Sequence, residues 1–124
     1  MRHYERLVAW RECHNLVLAV YRATQNFPKS ELYGLTSQAR RAALSGAVNI
    51  VEGSAKKGPA EFRRFLDISL GSLSEVSYLL RVSRELGLLG EADWAQLDRL
   101  ENRARFLTWK LSQAMGRARR AEPH

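Results

Sequence analysis

The side chains in this sequence with the most to offer chemically are cations, and one set of them recurs at helical spacing near the end of the chain. Arg99, Arg103, Lys110 and Arg117 follow one another at spacings of four, seven and seven residues, which places them along one line of an α-helix. Phe106 projects close to that line, and Trp109 lies on its flank. Aromatic rings stack on nucleobases while neighbouring cations hold phosphates, so the pattern is typical of a nucleic-acid-binding surface.

The same residues support a second interpretation. Phe106 and Trp109 also suit the centre of a subunit contact, with the cations solvated at its rim. The apolar residues that should face the core form a separate set, namely Leu97, Leu100, Ala104, Leu107, Leu111 and Ala114. A nucleic-acid surface and a subunit interface therefore both remain open here, and both explain the pattern better than random surface scatter does.

Further cations lie in the predicted loops and near the C-terminus. Lys56 and Lys57 form one doublet, and Arg63 and Arg64 form another one turn later. Together with Arg117, Arg119 and Arg120 they predict a positively charged end of the molecule. Such an end attracts phosphate, so we include Lys56 and Lys57 among the predicted nucleic-acid contacts.

The second predicted helix is apolar or small around most of its circumference, except for one polar line. That line consists of Gln38, Arg41, Ser45, Asn49 and Glu52, at spacings of three, four, four and three. It is a solvated face, a binding strip, or a hydrogen-bonded network at a subunit contact. The guanidinium fork of Arg41 matches phosphate oxygens, which predicts a nucleic-acid contact there. Gln38, Asn49 and Glu52 are predicted interface positions.

Catalytic residues are hard to assemble from this sequence. Cys13 and His14 are adjacent on a helix, so they point about 100° apart and cannot form a nucleophile–base pair with each other. Cys13 falls within an apolar stripe and is expected in the core. Glu52 and Glu75 suit ion pairs with Arg41 or another arginine better than catalysis. No zinc or di-iron ligand pattern is present, so we expect no enzyme activity, no metal and no cofactor.

Four helices separated by short breaks should position these residues. The predicted helices cover residues 7–25, 35–53, 59–86 and 91–120, and residues 121–124 are expected to form a loose tail. Prolines at 28, 59 and 123 mark proposed boundaries, Gly53 occupies a C-terminal cap position, and the third helix is expected to end at Gly87. Because short connections make neighbouring helices antiparallel, residues 1–124 are predicted to form one all-α domain, an up-down-up-down four-helix bundle.

The third predicted helix is apolar over an unusually wide arc. Its apolar residues are Phe62, Phe65, Leu66, Ile68, Leu73, Val76, Leu79, Leu80, Val82 and Leu86. A helix that packs against only one core needs a narrower stripe. This helix therefore lies centrally in the bundle or contacts another subunit with its outer flank, and we favour the subunit contact.

Composition limits the function classes further. The chain has 124 residues, enough for one domain with its own core, and 45% are hydrophobic, which excludes a disordered tail. The 20 lysines and arginines exceed the 13 carboxylates by seven, which favours acidic partners such as nucleic acid or an anionic protein surface. One cysteine allows no intramolecular disulfide. Without a signal-like or membrane-spanning apolar run, we expect a soluble cytoplasmic protein with no membrane contact.

Several motifs resemble a known protein family. The run Tyr33-Gly34-Leu35-Thr36-Ser37-Gln38-Ala39-Arg40-Arg41-Ala42 leads to Asn49-Ile50-Val51-Glu52-Gly53, and Leu7-Val8-Ala9-Trp10, Gly71-Ser72 and Leu86-Gly87-Leu88-Leu89 accompany it. These segments resemble the four-helix-bundle proteins encoded in intervening sequences of bacterial 23S rRNA genes. The resemblance spans nearly the whole chain, with departures at Gly46 and Gly90, where the family more often has a larger apolar residue and a capping serine.

The resemblance implies an up-down four-helix bundle, commonly assembled as a ring-like pentamer, with no catalytic residues to carry over. A relative with a similar fold, the accessory variability determinant of diversity-generating retroelements, binds nucleic acid and partners a reverse transcriptase. We therefore expect a homo-oligomer, with a pentamer favoured, that binds RNA or DNA through phosphate contacts. The alternative is a structural or protein-interaction oligomer, an adaptor for a nucleic-acid enzyme such as a reverse transcriptase, with no direct nucleic-acid role.

Overall fold

The chain folds into four long α-helices joined by short connections. The computed structural model describes residues 1–121. Its helices are α1 (Val8–Thr24), α2 (Ser37–Ser54), α3 (Pro59–Glu85) and α4 (Glu91–Ala121), and a 3₁₀ turn at His3–Arg6 precedes α1. No strand occurs among the described residues, so the all-α prediction is confirmed.

The helices form a ring around one core. Each helix packs against the next in the chain, and α1 closes the ring by packing against α4. The side chains at the centre come from the apolar stripe of every helix, and those with no exposed surface include Leu16, Val20, Ile50, Leu66, Leu73 and Val76. Because α2 and α4 lie diagonally across the bundle, their outward faces point to opposite sides of the molecule.

The connection between α1 and α2 depends on a glycine. A 3₁₀ turn (Lys29–Glu31) leads into a π-helical turn (Leu32–Thr36), inside which Gly34 departs from helical geometry with φ −108° and ψ −114°. The Glu31 carboxylate accepts a hydrogen bond from the Leu35 N–H at 3.0 Å. A Cβ at position 34 would lie 2.7 Å from that carboxylate, so Gly34 makes room for the cap. The α-helix then begins at Ser37, two residues later than predicted.

The role predicted for Gly53 is wrong. It does not cap α2, because the helix continues to Ser54 and Gly53 keeps a negative φ. A Cβ at this position would lie 2.8 Å from both Phe62 and Phe65 of α3. Gly53 is therefore a close-packing residue, which lets α3 approach the backbone of α2.

The third helix ends beside Gly87, as predicted, and the structure shows that this glycine caps it. Gly87 has φ +75°, in the left-handed region. Its N–H donates to the Arg84 carbonyl at 3.0 Å, and the Leu88 N–H donates to the Ser83 carbonyl at 2.9 Å. This hydrogen-bond pair is the Schellman motif, and it turns the chain sharply into α4.

At its far end α4 is still helical at Ala121, and the rest of the expected tail, residues 122–124, lies outside the described residues. None of the helices formed by residues 1–121 combines the length and the apolar character needed to cross a bilayer.

Candidate nucleic-acid interface

The outward side of α4 carries an aligned row of cations around an exposed aromatic ring. The row consists of Arg99, Arg103, Phe106, Lys110, Gln113, Arg117 and Arg120, spaced alternately by four and three residues, and we call it the α4 stripe. All of its side chains except the half-buried Gln113 are exposed. At 1.5 Å per residue the stripe is about 32 Å long, close to one helical turn of duplex DNA.

The aromatic pair of α4 is stacked on the surface. Phe106 is 56% exposed and Trp109 is 49% exposed, and their ring centroids lie 6.2 Å apart at an interplanar angle of 26°. The Lys110 ammonium lies 5.7 Å from the centroid of the Phe106 ring. Large rings held outside a core are available to stack on a base or to pack against an apolar partner.

Three of the four cations predicted on this line keep their charge uncompensated. Arg103 forms an ion pair with Glu12 of α1 at 3.1 Å, so part of its charge is used to hold α4 against α1. Among residues 1–121 no carboxylate lies within 4.0 Å of Arg99, Lys110 or Arg117. From 102 to 121 the sequence of α4 contains six cations and no aspartate or glutamate. The α4 stripe is therefore a strongly positive surface.

Arg105 of α4 has a structural role that was not predicted from the sequence. Glu101 is completely buried, and Arg105 donates to it through Nε at 2.9 Å. Arg105 also donates to the Asn102 side-chain oxygen at 2.6 Å. The hydrogen bond to Glu101 raises the pKa of Arg105. The core-like spacing of Glu101, four residues after Leu97, was the signal that could have revealed this pair.

The remaining predicted cations separate into two places. Lys56 and Lys57 lie exposed between α2 and α3, at the end of the bundle where α4 also ends. Arg63 joins that end, because its guanidinium lies directly against Gly116 of α4. Arg41 is exposed on α2, which lies across the bundle from α4, so it cannot contact the same short ligand as the α4 stripe.

The polar line of α2 is divided between the interior of the bundle and its surface. The Asn49 side chain donates to the Ser45 carbonyl at 2.8 Å, and the Ser45 and Ser72 hydroxyls are hydrogen-bonded at 2.7 Å, which joins α2 to α3. Gln38, Arg41 and Glu52 are exposed.

The expected pairing of Glu52 or Glu75 with an arginine is wrong, because both carboxylates are exposed and neither has an ion pair within residues 1–121.

An apolar area accompanies the exposed part of this line. Leu44 and Val48 of α2 are 39% and 43% exposed, and Ile68 of α3 is 45% exposed. We call these three residues the α2–α3 patch. Isolated apolar residues are common on protein surfaces, but a group of three across adjacent helices is a candidate subunit contact.

Cys13 is a core residue, as predicted. It has no exposed surface, and its sulfur lies 3.6 Å from the Thr108 hydroxyl oxygen. Burial raises the pKa of the Cys13 thiol to about 11, although the hydrogen bond to Thr108 opposes the shift. The adjacent His14 stacks on Trp10 with ring centroids 4.9 Å apart. Within residues 1–121 no three histidine, cysteine or carboxylate side chains are grouped to hold a metal ion.

A family model described as 23S rRNA-intervening sequence protein matches residues 5–108. The chain belongs to the 23S rRNA-intervening sequence protein family. The resemblance in the sequence motifs is thereby confirmed. The match ends within α4, so Lys110 and Arg117 of the α4 stripe lie beyond the part shared with the family model.

A solved structure has the same fold as this family member. It is described as a protein with unknown function from the S23 ribosomal protein family of Bacteroides thetaiotaomicron. The two structures align with a TM-score of 0.76 at 17% sequence identity, over 85% of this chain and 98% of the other. At that identity the likeness establishes the fold alone. No curated protein matches the chain significantly.

Proposed function

We propose that this member of the family is a non-enzymatic, basic homo-oligomer that binds RNA or DNA through phosphate contacts along the α4 stripe. The observation that carries the proposal is the stripe itself, in which uncompensated cations flank exposed aromatic rings over about 32 Å. The like charges along this helix repel one another, and a bound polyanion neutralises them and so relieves the repulsion.

The chemistry of the α4 stripe favours recognition of phosphate and shape. Arg99, Lys110 and Arg117 supply phosphate contacts along one line, and Phe106 and Trp109 supply faces on which unpaired bases stack. Stacking tolerates every base, and phosphate contacts carry no sequence information. We therefore expect weak sequence preference and stronger binding to single-stranded or looped nucleic acid than to a closed duplex.

A salt titration tests the proposal directly. Binding of fluorescein-labelled 20-nucleotide RNA and DNA, each as a single strand and as a duplex, is measured by anisotropy between about 50 and 300 mM salt. Release of counterions from three to four phosphates predicts a slope of about −2 to −3 in a plot of log affinity against log salt for the single strands. Absence of binding at the lowest salt, or binding that salt does not weaken, would overturn the proposal.

Variants locate the surface. Arg103 is tied to Glu12, so the informative triple replaces Arg99, Lys110 and Arg117 by glutamine. The matched control replaces three exposed cations elsewhere, Arg11, Arg22 and Lys29, which also have no ion pair within residues 1–121, and removes the same charge. We expect the stripe triple to weaken single-strand binding by about 30-fold or more and to flatten the salt slope, while the control changes affinity by less than about threefold. Equal losses in both triples would show that net charge alone, not the stripe, causes binding.

A structural or protein-interaction oligomer without a direct nucleic-acid role is the second candidate. The observation that favours it is the exposed apolar surface of Phe106 and Trp109, together with the α2–α3 patch. In that case the cations form a polar rim around a protein contact. Replacing Phe106 and Trp109 by alanine discriminates the two candidates. Loss of single-strand RNA binding in an intact oligomer supports the first, whereas dissociation of the oligomer, in a protein whose unchanged form binds no RNA, supports the second.

A further inference from the structure

A recess of about 610 Å³ opens at one end of the bundle, where the N-terminal 3₁₀ turn, the α2–α3 connection and the last turns of α4 meet. Its walls are mainly apolar and include Leu7, Pro59, Phe62, Leu111, Met115 and Ala118, and we call it the basal recess. Phe62 belongs to the core, while Leu7, Leu111 and Met115 are half-buried. The recess is therefore an open extension of the hydrophobic core, with room for one or two large side chains.

The rim of the basal recess is strongly positive. Lys56 is one of its lining residues, and the Arg63 guanidinium lies against Gly116, the neighbour of Met115. Three segments build this end of the bundle, namely residues 1–7, 52–64 and 111–121. Together they contain three carboxylates, Glu5, Glu52 and Glu61, and nine cations. The cations are Arg2, Arg6, Lys56, Lys57, Arg63, Arg64, Arg117, Arg119 and Arg120. Pro59 begins the 27-residue helix α3, so the positive end of its dipole faces the same place.

We propose that the basal recess binds an acidic amphipathic segment of a protein partner. Apolar side chains of the segment insert between Phe62, Leu111 and Met115, and its carboxylates pair with Lys56 and the neighbouring cations. Met115 suits this role, because its flexible thioether adapts to different apolar shapes. Charge complementarity selects the sign of the partner, and the apolar walls supply the binding energy.

The lining of the recess disfavours a nucleobase as the occupant. The edge of a base has several polar atoms, and each loses free energy if it is buried without a hydrogen bond. Three polar side chains line the recess: the Ser54 hydroxyl already donates to the Val51 carbonyl at 2.7 Å, and His3 and Lys56 are exposed rather than buried among the apolar walls. Leucine and phenylalanine side chains have no polar atoms that need hydrogen-bond partners, so a protein segment fits the recess better than nucleic acid does.

This proposal does not rest on nucleic-acid binding by the α4 stripe. Leu111, Met115 and Ala118 face the recess, whereas Lys110 and Arg117 point outward from the same helix. Both surfaces can be occupied in one molecule. Arg117 is shared by the stripe and the rim, so the separating variant replaces only Arg99 and Lys110 by glutamine. It should leave binding at the recess within about twofold of the unchanged protein, which separates failure of one proposal from failure of the other.

The test uses three synthetic 14-residue peptides and the full chain. The probe peptide has leucine and phenylalanine on one helical face and glutamate on the other, and the two comparison peptides replace glutamate by lysine or the apolar residues by serine. We expect the acidic amphipathic peptide to bind with a Kd in the range of about 1–100 μM by anisotropy, and the other two to bind at least about tenfold more weakly. Equal binding of the lysine peptide would overturn the role of charge.

Two matched pairs of variants locate the binding site. Ala118→Trp fills the recess from an exposed helical position, and Ala121→Trp places the same ring further along α4, on a residue that does not line the recess. Lys56→Glu reverses a charge in the lining. Because Lys57 belongs to the same positive rim, the control for Lys56→Glu is instead Lys29→Glu, an exposed charge in the α1–α2 connection at the other end of the bundle. We expect Ala118→Trp and Lys56→Glu to weaken peptide binding by about tenfold or more, and Ala121→Trp and Lys29→Glu by no more than about twofold. Equal effects within both pairs would overturn the proposed site.

Occupation of the recess can also be followed by NMR in the protein without any substitution. The chain has two methionines, Met1 and Met115, so ¹³C-methyl labelling of methionine gives one signal from the wall of the recess. The Met115 methyl signal should shift progressively as the acidic peptide is added. An unchanged signal at saturation would place the peptide elsewhere. A shift produced by single-stranded RNA but not by the peptide would reassign the recess to nucleic acid.

Discussion

The contribution of an ion pair to the stability of this protein depends on its burial, as two arginine–glutamate pairs show. Arg81 contacts Glu85 and Arg105 contacts Glu101 through the same atoms at the same 2.9 Å, and each pair spans one helical turn. The side chains of the first pair are 73% and 64% exposed, whereas Glu101 has no exposed surface. Removing one partner of a buried pair leaves a desolvated charge, and removing one partner of an exposed pair leaves a hydrated one.

Glu101→Ala should therefore destabilise the protein by about 2–3 kcal/mol, because it leaves a cavity and forces Arg105, which is 42% exposed, to turn toward water. Glu85→Ala is the matched control and should cost less than about 0.5 kcal/mol. Urea denaturation followed by circular dichroism measures both. Equal losses of stability would mean that burial of Glu101 is energetically unimportant.

Cys13 gives the fold a defined dependence on alkaline pH. Burial raises the pKa of its thiol from 9.0 to about 11, so the folded state favours the neutral form. The resulting stability is fully present below pH 9 and is lost as the pH rises towards 11. A shift of this size corresponds to about 3 kcal/mol.

The unfolding free energy of the unchanged protein, relative to Cys13→Ala, should consequently fall by about 2 kcal/mol between pH 8 and pH 11. Comparing the two proteins at each pH cancels the titration of lysines and tyrosines. A constant difference across this range would contradict the raised pKa. As a second check, a thiol reagent at pH 8 should modify Cys13 slowly in the folded protein and rapidly in urea.

At the scale of elements, the approach of α2 to α3 depends on a missing side chain. A Cβ on Gly53 would lie 2.8 Å from atoms of Phe62 and Phe65, one of them a Cβ that cannot move without its helix. Gly53→Ala should therefore destabilise the protein by about 1–3 kcal/mol despite the better helix propensity of alanine.

Gly71→Ala is the control within α3, because open space surrounds that position and only the gain in helix propensity remains. It should stabilise the protein by about 0.5–1 kcal/mol. Thermal unfolding compares the two variants. A stabilising effect at position 53 would show that the two helices are free to separate.

The elements were predictable from the sequence to within two residues at each end, because their boundaries depend on local signals. Pro59 at a first helical position and Gly87 at a cap are examples. Gly53 was misassigned because a glycine near a helix end looks the same whether it caps that helix or admits a neighbouring one. The candidate binding site was likewise predictable only as far as local sequence patterns reach. Helical periodicity aligned the cations of α4, but the use of Arg103 by Glu12 depends on the packing of α1 against α4, which no local pattern records.

On the scale of the whole molecule, the proposed surfaces point in different directions. The α2–α3 patch and the α4 stripe lie on opposite sides of the bundle, because α2 and α4 are diagonal. Association of several chains through the patch would therefore leave every stripe on the outside. A nucleic-acid strand that contacts two stripes of one oligomer binds far more tightly than one stripe allows, since the second contact is intramolecular.

Val48→Glu combined with Ile68→Glu should consequently dissociate the proposed homo-oligomer without unfolding the chain, because both residues are already close to half exposed. Sedimentation velocity at about 50 μM measures the assembly, and a pentamer of the 14.2 kDa chain would have a mass of about 71 kDa. Leu18→Glu, at a 38% exposed apolar residue of α1, should leave the assembly intact. With avidity lost, single-strand RNA affinity of the double variant should fall by about tenfold or more although the stripe is unchanged. Assembly through the α2–α3 patch would be contradicted if the unchanged protein were a monomer, or if Leu18→Glu also dissociated the assembly. If only the double variant Phe106→Ala with Trp109→Ala dissociated it, the subunit contact would belong to α4.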